Sequence, residues 1–138
     1  MALSESDIMQ KLKHFDLYDP TCEESSVYAN TSPAAWEWFV YPAAAALSST
    51  NYVLNCSKIG VTIFPATIGG ALKKDPPIFI PKADIVDMKI RRKLLSYSII
   101  ISSTEKNVSL TFGKITFGEK WNNDNIPSIL NYAVAWMR

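Results

Sequence analysis

The densest group of charges in this chain is the run Arg91-Arg92-Lys93. A guanidinium binds phosphate or carboxylate oxygens through a bidentate fork, whereas an ammonium acts as a point charge. Three such cations at a hairpin turn can meet a phosphate group or an acidic peptide. The interpretation favoured from sequence is a solvated hairpin turn, whose charges discourage pairing with another strand. The candidate anion-binding residues are Lys73, Lys74, Lys89, Arg91, Arg92 and Lys93.

Residues suited to catalysis are few. Cys22 and Cys56 lie far apart in the sequence, and His14 is the one histidine. A cysteine nucleophile would need that imidazole beside the thiol and a third group to orient it. Gly69-Gly70 lacks the lysine and hydroxyl that follow in a Walker phosphate loop. We expect free thiols and a protein that is not an enzyme, with no catalytic residue, metal or cofactor.

Four aromatic residues fall within six positions and are candidates for binding a partner: Trp36, Trp38, Phe39 and Tyr41. Such a cluster is too apolar for a solvated loop. It either covers part of the protein itself or forms a surface that contacts a partner protein or a membrane. Residues 34–50 contain no lysine or arginine. Binding of nucleic acid is therefore not expected, because it needs cations interleaved with the aromatic rings.

Length and charge narrow the class of protein. A chain of 138 residues is long enough for one domain with its own core. Its 14 basic and 13 acidic residues give a formal charge of +1, so no global field attracts nucleic acid or anionic lipid. Residues 1–13 lack the apolar run of a signal peptide, and no window has about 20 apolar residues. These features predict a cytoplasmic protein. Peripheral association with the inner face of the membrane is the second predicted location.

Alternating apolar and polar residues from 84 to 112 predict three half-buried strands of an antiparallel meander. The side chains expected on the inner face are Val86, Met88, Ile90, Leu95, Tyr97, Ile99, Ile101, Val108, Leu110 and Phe112. Four more strands are predicted within residues 25–31, 52–56, 61–64 and 78–80, and Pro65 is expected to end the third of them.

Two helices complete the predicted elements. Ser4 with Asp7 three residues later has the form of a capping box, which predicts a helix over residues 5–14. Near the end of the chain, residues 123–125 offer capping oxygens and Pro127 is expected in the first helical turn. The apolar face predicted for that helix consists of Ile126, Ile129, Leu130, Ala133, Val134 and Met137. We expect a helix and linker at 1–24 and one domain at 25–138.

Two stretches resemble a known family. Residues 52–64, YVLNCSKIGVTIF, look like a hairpin of the short bacterial pleckstrin-homology-like (PH-like) and GRAM-like domains. Residues 78–88, IFIPKADIVDM, look like the strand and turn that follow in those domains. The resemblance covers about residues 25–138. It implies a seven-stranded antiparallel barrel of two nearly orthogonal sheets, with a C-terminal helix at one open end.

The expected function is a non-catalytic binding or scaffolding module. The first hypothesis is recognition of a protein or peptide, including a second copy of the chain, through a sheet edge or segment 36–47. The competing hypothesis is peripheral binding to anionic lipid. In that case residues 91–93 meet the headgroups and the aromatic cluster enters the membrane interface. Lipid-binding PH-like domains carry cations between their first two strands, and residues 34–50 here do not.

Overall fold

A computed structural model describes residues 4–30, 51–66, 72, 76–104, 107–113 and 120–136. Its helices are α1 (Glu5–His14) and α2 (Lys120–Ala135), with short 3₁₀ helices at Pro20–Cys22 and Lys82–Asp84. Its strands are β1 (Ser26–Asn30), β2 (Asn51–Ser57), β3 (Gly60–Ala66), β4 (Ile78–Pro81), β5 (Ile85–Arg92), β6 (Ser96–Ser103) and β7 (Asn107–Gly113).

The seven strands form one antiparallel sheet in the order β4-β3-β2-β1-β7-β6-β5. The prediction of a mainly β protein with a short N-terminal helix and a C-terminal helix is therefore confirmed. In the described part of the chain no residue pair joins the outer strands β4 and β5, so the sheet is not closed.

Helix α1 follows its predicted bounds because its capping box forms. The Ser4 hydroxyl accepts a hydrogen bond from the Asp7 amide at 3.2 Å, and the Asp7 carboxylate accepts one from the Ser4 amide at 3.1 Å. Ile8 and Leu12, four residues apart on one face, are both fully buried. The helix is therefore docked on the protein, which its sequence alone did not show.

The core lies on both faces of the β2–β3 pair. On one face Leu54 and Ile63 join the main apolar cluster with β5, β6, β7 and α2. On the other face Val53 and Phe64 pack with α1. Because successive side chains of a strand point to opposite faces, two-sided burial requires apolar residues at consecutive positions. For this reason apolar and polar residues alternate only weakly in the sequences of β2 and β3.

A bulge changes the inward set predicted for β5. Ile85 pairs with Ser103 while Asp87 pairs with Ser102, so β5 advances by two residues where β6 advances by one. The extra residue reverses the alternation at this point. Ile85 is buried and Val86 is 48% exposed, although the sequence pattern predicted Val86 inside. Met88, beyond the bulge, is buried as predicted.

Two further predictions were wrong. Strand β3 continues through Pro65, which pairs with Tyr52, so this proline does not end the strand. Helix α2 begins at Lys120, which puts Pro127 about two turns inside it. Contacts of the first turn explain the earlier start, because the Trp121 ring lies 5.2 Å from the Tyr28 ring.

The apolar face of α2 is narrower than predicted. Ile126, Ile129 and Ala133 are buried in the main cluster, and Leu130 packs against it half-buried. Val134, predicted on the same face, is 64% exposed. The helix contacts β1, β2 and β5, and Val134 lies on the side of its last turn that faces water.

Side-chain amides of α2 bind the edge of β1 that faces β7. The backbone N–H and C=O groups of alternate residues of a strand point to the same side. On this edge of β1 those residues are Ser26, Tyr28 and Asn30. In the described chain only Asn30 pairs with β7, through Thr111. The Asn122 oxygen accepts from the Tyr28 amide at 2.6 Å, and the Asn125 nitrogen donates to the Ser26 carbonyl at 3.1 Å. The amides thus satisfy backbone groups that a strand would otherwise bind.

Replacement of Asn122 by alanine should lower the free energy of unfolding by about 1–3 kcal/mol, because it removes the acceptor of the part-buried Tyr28 amide. Asn122 is 0% exposed. The exposed Asn131→Ala variant on the same helix is the control, since it measures the gain in helix propensity alone. Urea denaturation of both variants gives the comparison. Equal stability of the two would show that the amide does not support β1.

Candidate functional site

The predicted cations from Lys89 onward gather at the turn between β5 and β6. We call residues 89–95 the basic tip. The strands pair as far as Arg92 with Tyr97, and the Lys93 amide then donates to the Ser96 carbonyl at 2.9 Å. This closes a loop of two residues, Leu94 and Leu95. The tight closure brings the three consecutive cations together at the end of the hairpin.

All four cations of the basic tip are exposed. The Lys89 ammonium lies 3.9 Å from the Asp87 carboxylate, and 64% of its side chain is exposed, so water screens this ion pair. The Arg92 guanidinium lies over the Tyr97 ring, 6.0 Å from its centroid. Such a contact limits the motion of the guanidinium while one face of it stays open.

Charge is separated along the molecule. Strands β6 and β7 contain no Asp, Glu, Lys or Arg, so they supply no counter-charge to the basic tip. The whole chain has 14 basic and 13 acidic residues; without the four cations of the tip, ten basic residues remain and the charge is −3. Asp87 precedes Arg92 by five residues, about 16 Å along a strand, which exceeds the screening length at physiological salt.

The two leucines of the loop are the most exposed large apolar side chains in the described chain, at 87% for Leu94 and 80% for Leu95. The sequence pattern placed Leu95 on the inner face of β6, which is wrong. The strand begins one residue later, at Ser96, and Leu95 belongs to the loop. The pairing of Arg92 with Tyr97, which the structure shows, places the residues between them in the turn.

The remaining binding candidates lie outside the described residues: Trp36, Trp38, Phe39 and Tyr41 in the aromatic cluster, and Lys73 and Lys74 in the smaller basic pair. The strand residues that flank the aromatic segment, Asn30 and Asn51, are paired with each other. Across the sheet, Asn30 also pairs with Thr111, Thr111 with Ser98, and Ser98 with Arg91. Because β1 is antiparallel to β7 and β7 is antiparallel to β6, β1 runs away from the basic tip, as β6 does.

The residues considered for catalysis are two buried cysteines and one exposed histidine. Cys22 and Cys56 are 1% and 0% exposed, and burial raises the pKa of both thiols, that of Cys56 to about 12. A protonated, buried thiol is a poor nucleophile. His14 is exposed at the end of α1, where its ring contacts the Phe15 ring edge-on at 4.9 Å. No three of the described His, Cys, Asp and Glu side chains are grouped so as to hold a metal ion.

No protein-family model and no curated protein matches the sequence. Neither of the two described helices has the length and apolar composition that are needed to cross a lipid bilayer.

Because burial raises the pKa of Cys56 from 9.0 to about 12, stability should fall as the pH rises above 9. The unfolded chain then loses this proton while the folded protein keeps it. Between these two pKa values the free energy of unfolding should fall by up to about 1.4 kcal/mol for each pH unit. Urea denaturation at pH 8 to 10.5 measures it. The Cys56→Ala variant should show a shallower slope, and an identical slope in both proteins would contradict the assignment.

Proposed function

We propose that this chain is a non-catalytic binding module with PH-like architecture, and that it binds a negatively charged partner through the basic tip. The observation that carries the proposal is the exposure of four cations on one hairpin whose neighbouring strands β6 and β7 have no acidic residue. Two arginines in the group favour oxygen anions that accept a bidentate fork, such as phosphate and carboxylate.

Three features support the PH-like part of the proposal. The meander of seven antiparallel strands ends in a helix, as in that family. The β1–β7 junction has one described residue pair, Asn30 with Thr111, which lets the four strands on one side turn relative to the three on the other. Helix α2 contacts β1, β2 and β5, and so covers the space between these groups. We propose that the two groups form the nearly orthogonal sheets of a PH-like barrel.

Recognition of a protein or peptide by strand addition is the second candidate. Strand β5 has β6 as its one partner within the described chain, so its outer edge could accept a peptide strand. The bulge at Val86 and the cations Lys89 and Arg91 discourage pairing along this edge. The same cations are an advantage for an anionic ligand at the tip, which is why we favour that site.

Titration with sodium triphosphate, followed by backbone amide signals in a ¹H–¹⁵N spectrum, tests the proposal. Sodium chloride of equal ionic strength is the reference. The largest shifts are expected at residues 91–93. An exposed ion pair contributes about 0.2–1 kcal/mol, so the triple variant Arg91→Ala, Arg92→Ala, Lys93→Ala should bind about tenfold more weakly.

The matched control is Lys13→Ala, Lys58→Ala, Lys82→Ala. These lysines are exposed and lie elsewhere in the chain, and their loss changes the net charge by the same amount. It should keep most of the wild-type affinity. Equal loss in the two triple variants, or shifts spread over the whole surface, would mean that net charge alone governs binding and would overturn the proposed site.

A further inference from the structure

We infer that the partner of the basic tip is an anionic lipid bilayer, and that Leu94 and Leu95 enter the boundary between its headgroups and acyl chains. This inference rests on the proposed function and names the partner of the same site. It comes from the position of the leucines, which form the apex of the hairpin with three cations directly before them.

The fold does not need these leucines. Two-residue hairpin loops are usually built from Gly, Asn or Asp, which supply a positive φ or bind the local backbone. Among the described residues other than glycine, only Asp16 and Glu24 have positive φ, so the backbone of the loop makes no unusual demand. With 87% and 80% of their surface exposed, Leu94 and Leu95 contribute little to the core. Their apolar surface is available to an external partner.

The spacing along the hairpin matches the layers of a membrane surface. Interfacial side chains reach about 5–10 Å into the headgroup and acyl boundary. Arg92 lies two residues before Leu94, which is about 7 Å along a strand. With the leucines inserted, residues 91–93 would therefore lie at the level of the lipid phosphates. Arg and Lys side chains can also extend toward that layer while their stems cover apolar surface.

The distribution of charge agrees with this orientation. The tip carries four positive charges, whereas the rest of the chain has ten basic and 13 acidic residues. A negatively charged surface therefore attracts the tip, whereas the remaining residues together carry a net negative charge. A soluble phosphate or an acidic protein would meet the same cations, but neither has an apolar layer below the charges. A bilayer places an apolar layer directly below its negative charges, which matches leucines at the apex with cations directly before them.

Sedimentation with vesicles tests the inference. The full chain is mixed with vesicles of phosphatidylcholine containing 30% phosphatidylserine, at low and physiological salt. The variant Leu94→Ser, Leu95→Ser should bind about tenfold more weakly or worse, and its fold should be unchanged because both side chains are exposed. The control Val134→Ser removes another exposed apolar side chain and should bind like the wild type. Vesicles of phosphatidylcholine alone should bind much less of each protein.

A fluorescent label reports insertion directly. Cys22 and Cys56 are buried, so an environment-sensitive probe attaches selectively to the new thiol of Leu94→Cys. On anionic vesicles its emission should shift to the blue and increase. The same probe on Thr104→Cys should not change, because Thr104 is exposed and follows β6 at the end of that strand opposite to the tip.

The outcomes separate this inference from the proposed function. Vesicle binding could depend on salt and on residues 91–93 while the leucine variant binds normally and the label does not change. That result would overturn the inference of leucine insertion into a bilayer and leave only an anion-binding site. Equally tight, leucine-independent binding to polyglutamate would assign the tip to an acidic protein instead. If the wild type bound neither triphosphate nor anionic vesicles, the proposed function would fail as well.

Discussion

The attachment of α2 to β1 through side-chain amides is the constraint on which the rest of the structure depends. Asn122 and Asn125 are buried, and a buried backbone amide or carbonyl without a partner would destabilise the fold. They bind the Tyr28 amide and the Ser26 carbonyl, and within the described residues Asn30 is the one residue of β1 paired with β7. Asn125 also donates to the Glu5 carboxylate at 3.0 Å, which joins α1 to the same point. One helix thus positions the strand groups and the N-terminal helix.

In this arrangement the end of the β5–β6 hairpin lies outside the packed clusters. α1 covers one face of β2 and β3, and α2 covers the core between β1 and β5. The β5–β6 hairpin keeps its inner residues Met88 and Ile99 in the core, whereas residues 91–95 extend beyond it. A rigid base and an exposed end suit a surface that must meet a partner without changing shape. The cations and leucines lie on that exposed end.

Much of the architecture could be predicted from short-range patterns. The capping box at Ser4, the alternation from Ile99 to Ile101 and the turn at Lys58 each depend on neighbours within a few residues. Predictions failed where a distant contact outweighs the local preference. Pro127 lies inside α2 although proline weakens a helix, because Trp121 and Asn122 fasten the preceding turn to β1. The sequence alone was enough to single out the cations at residues 91–93 as candidates, because they are consecutive. The apex leucines were missed because the same letters fit a strand.

By itself the amino-acid sequence determined the kinds of element, their order and the group of cations at residues 91–93. These depend on residue type and on periods of two or 3.6 positions. Only the tertiary structure decided which side chains face water at Ile85, Val86, Leu95 and Val134. The bulge at Val86 buries Ile85 and exposes Val86. The hydrogen bond between Lys93 and Ser96 places Leu95 in the loop instead of the strand. The physical reason is that a side chain's environment depends on strand register and on packing between distant segments. A shift of one residue reverses the face without any change in composition.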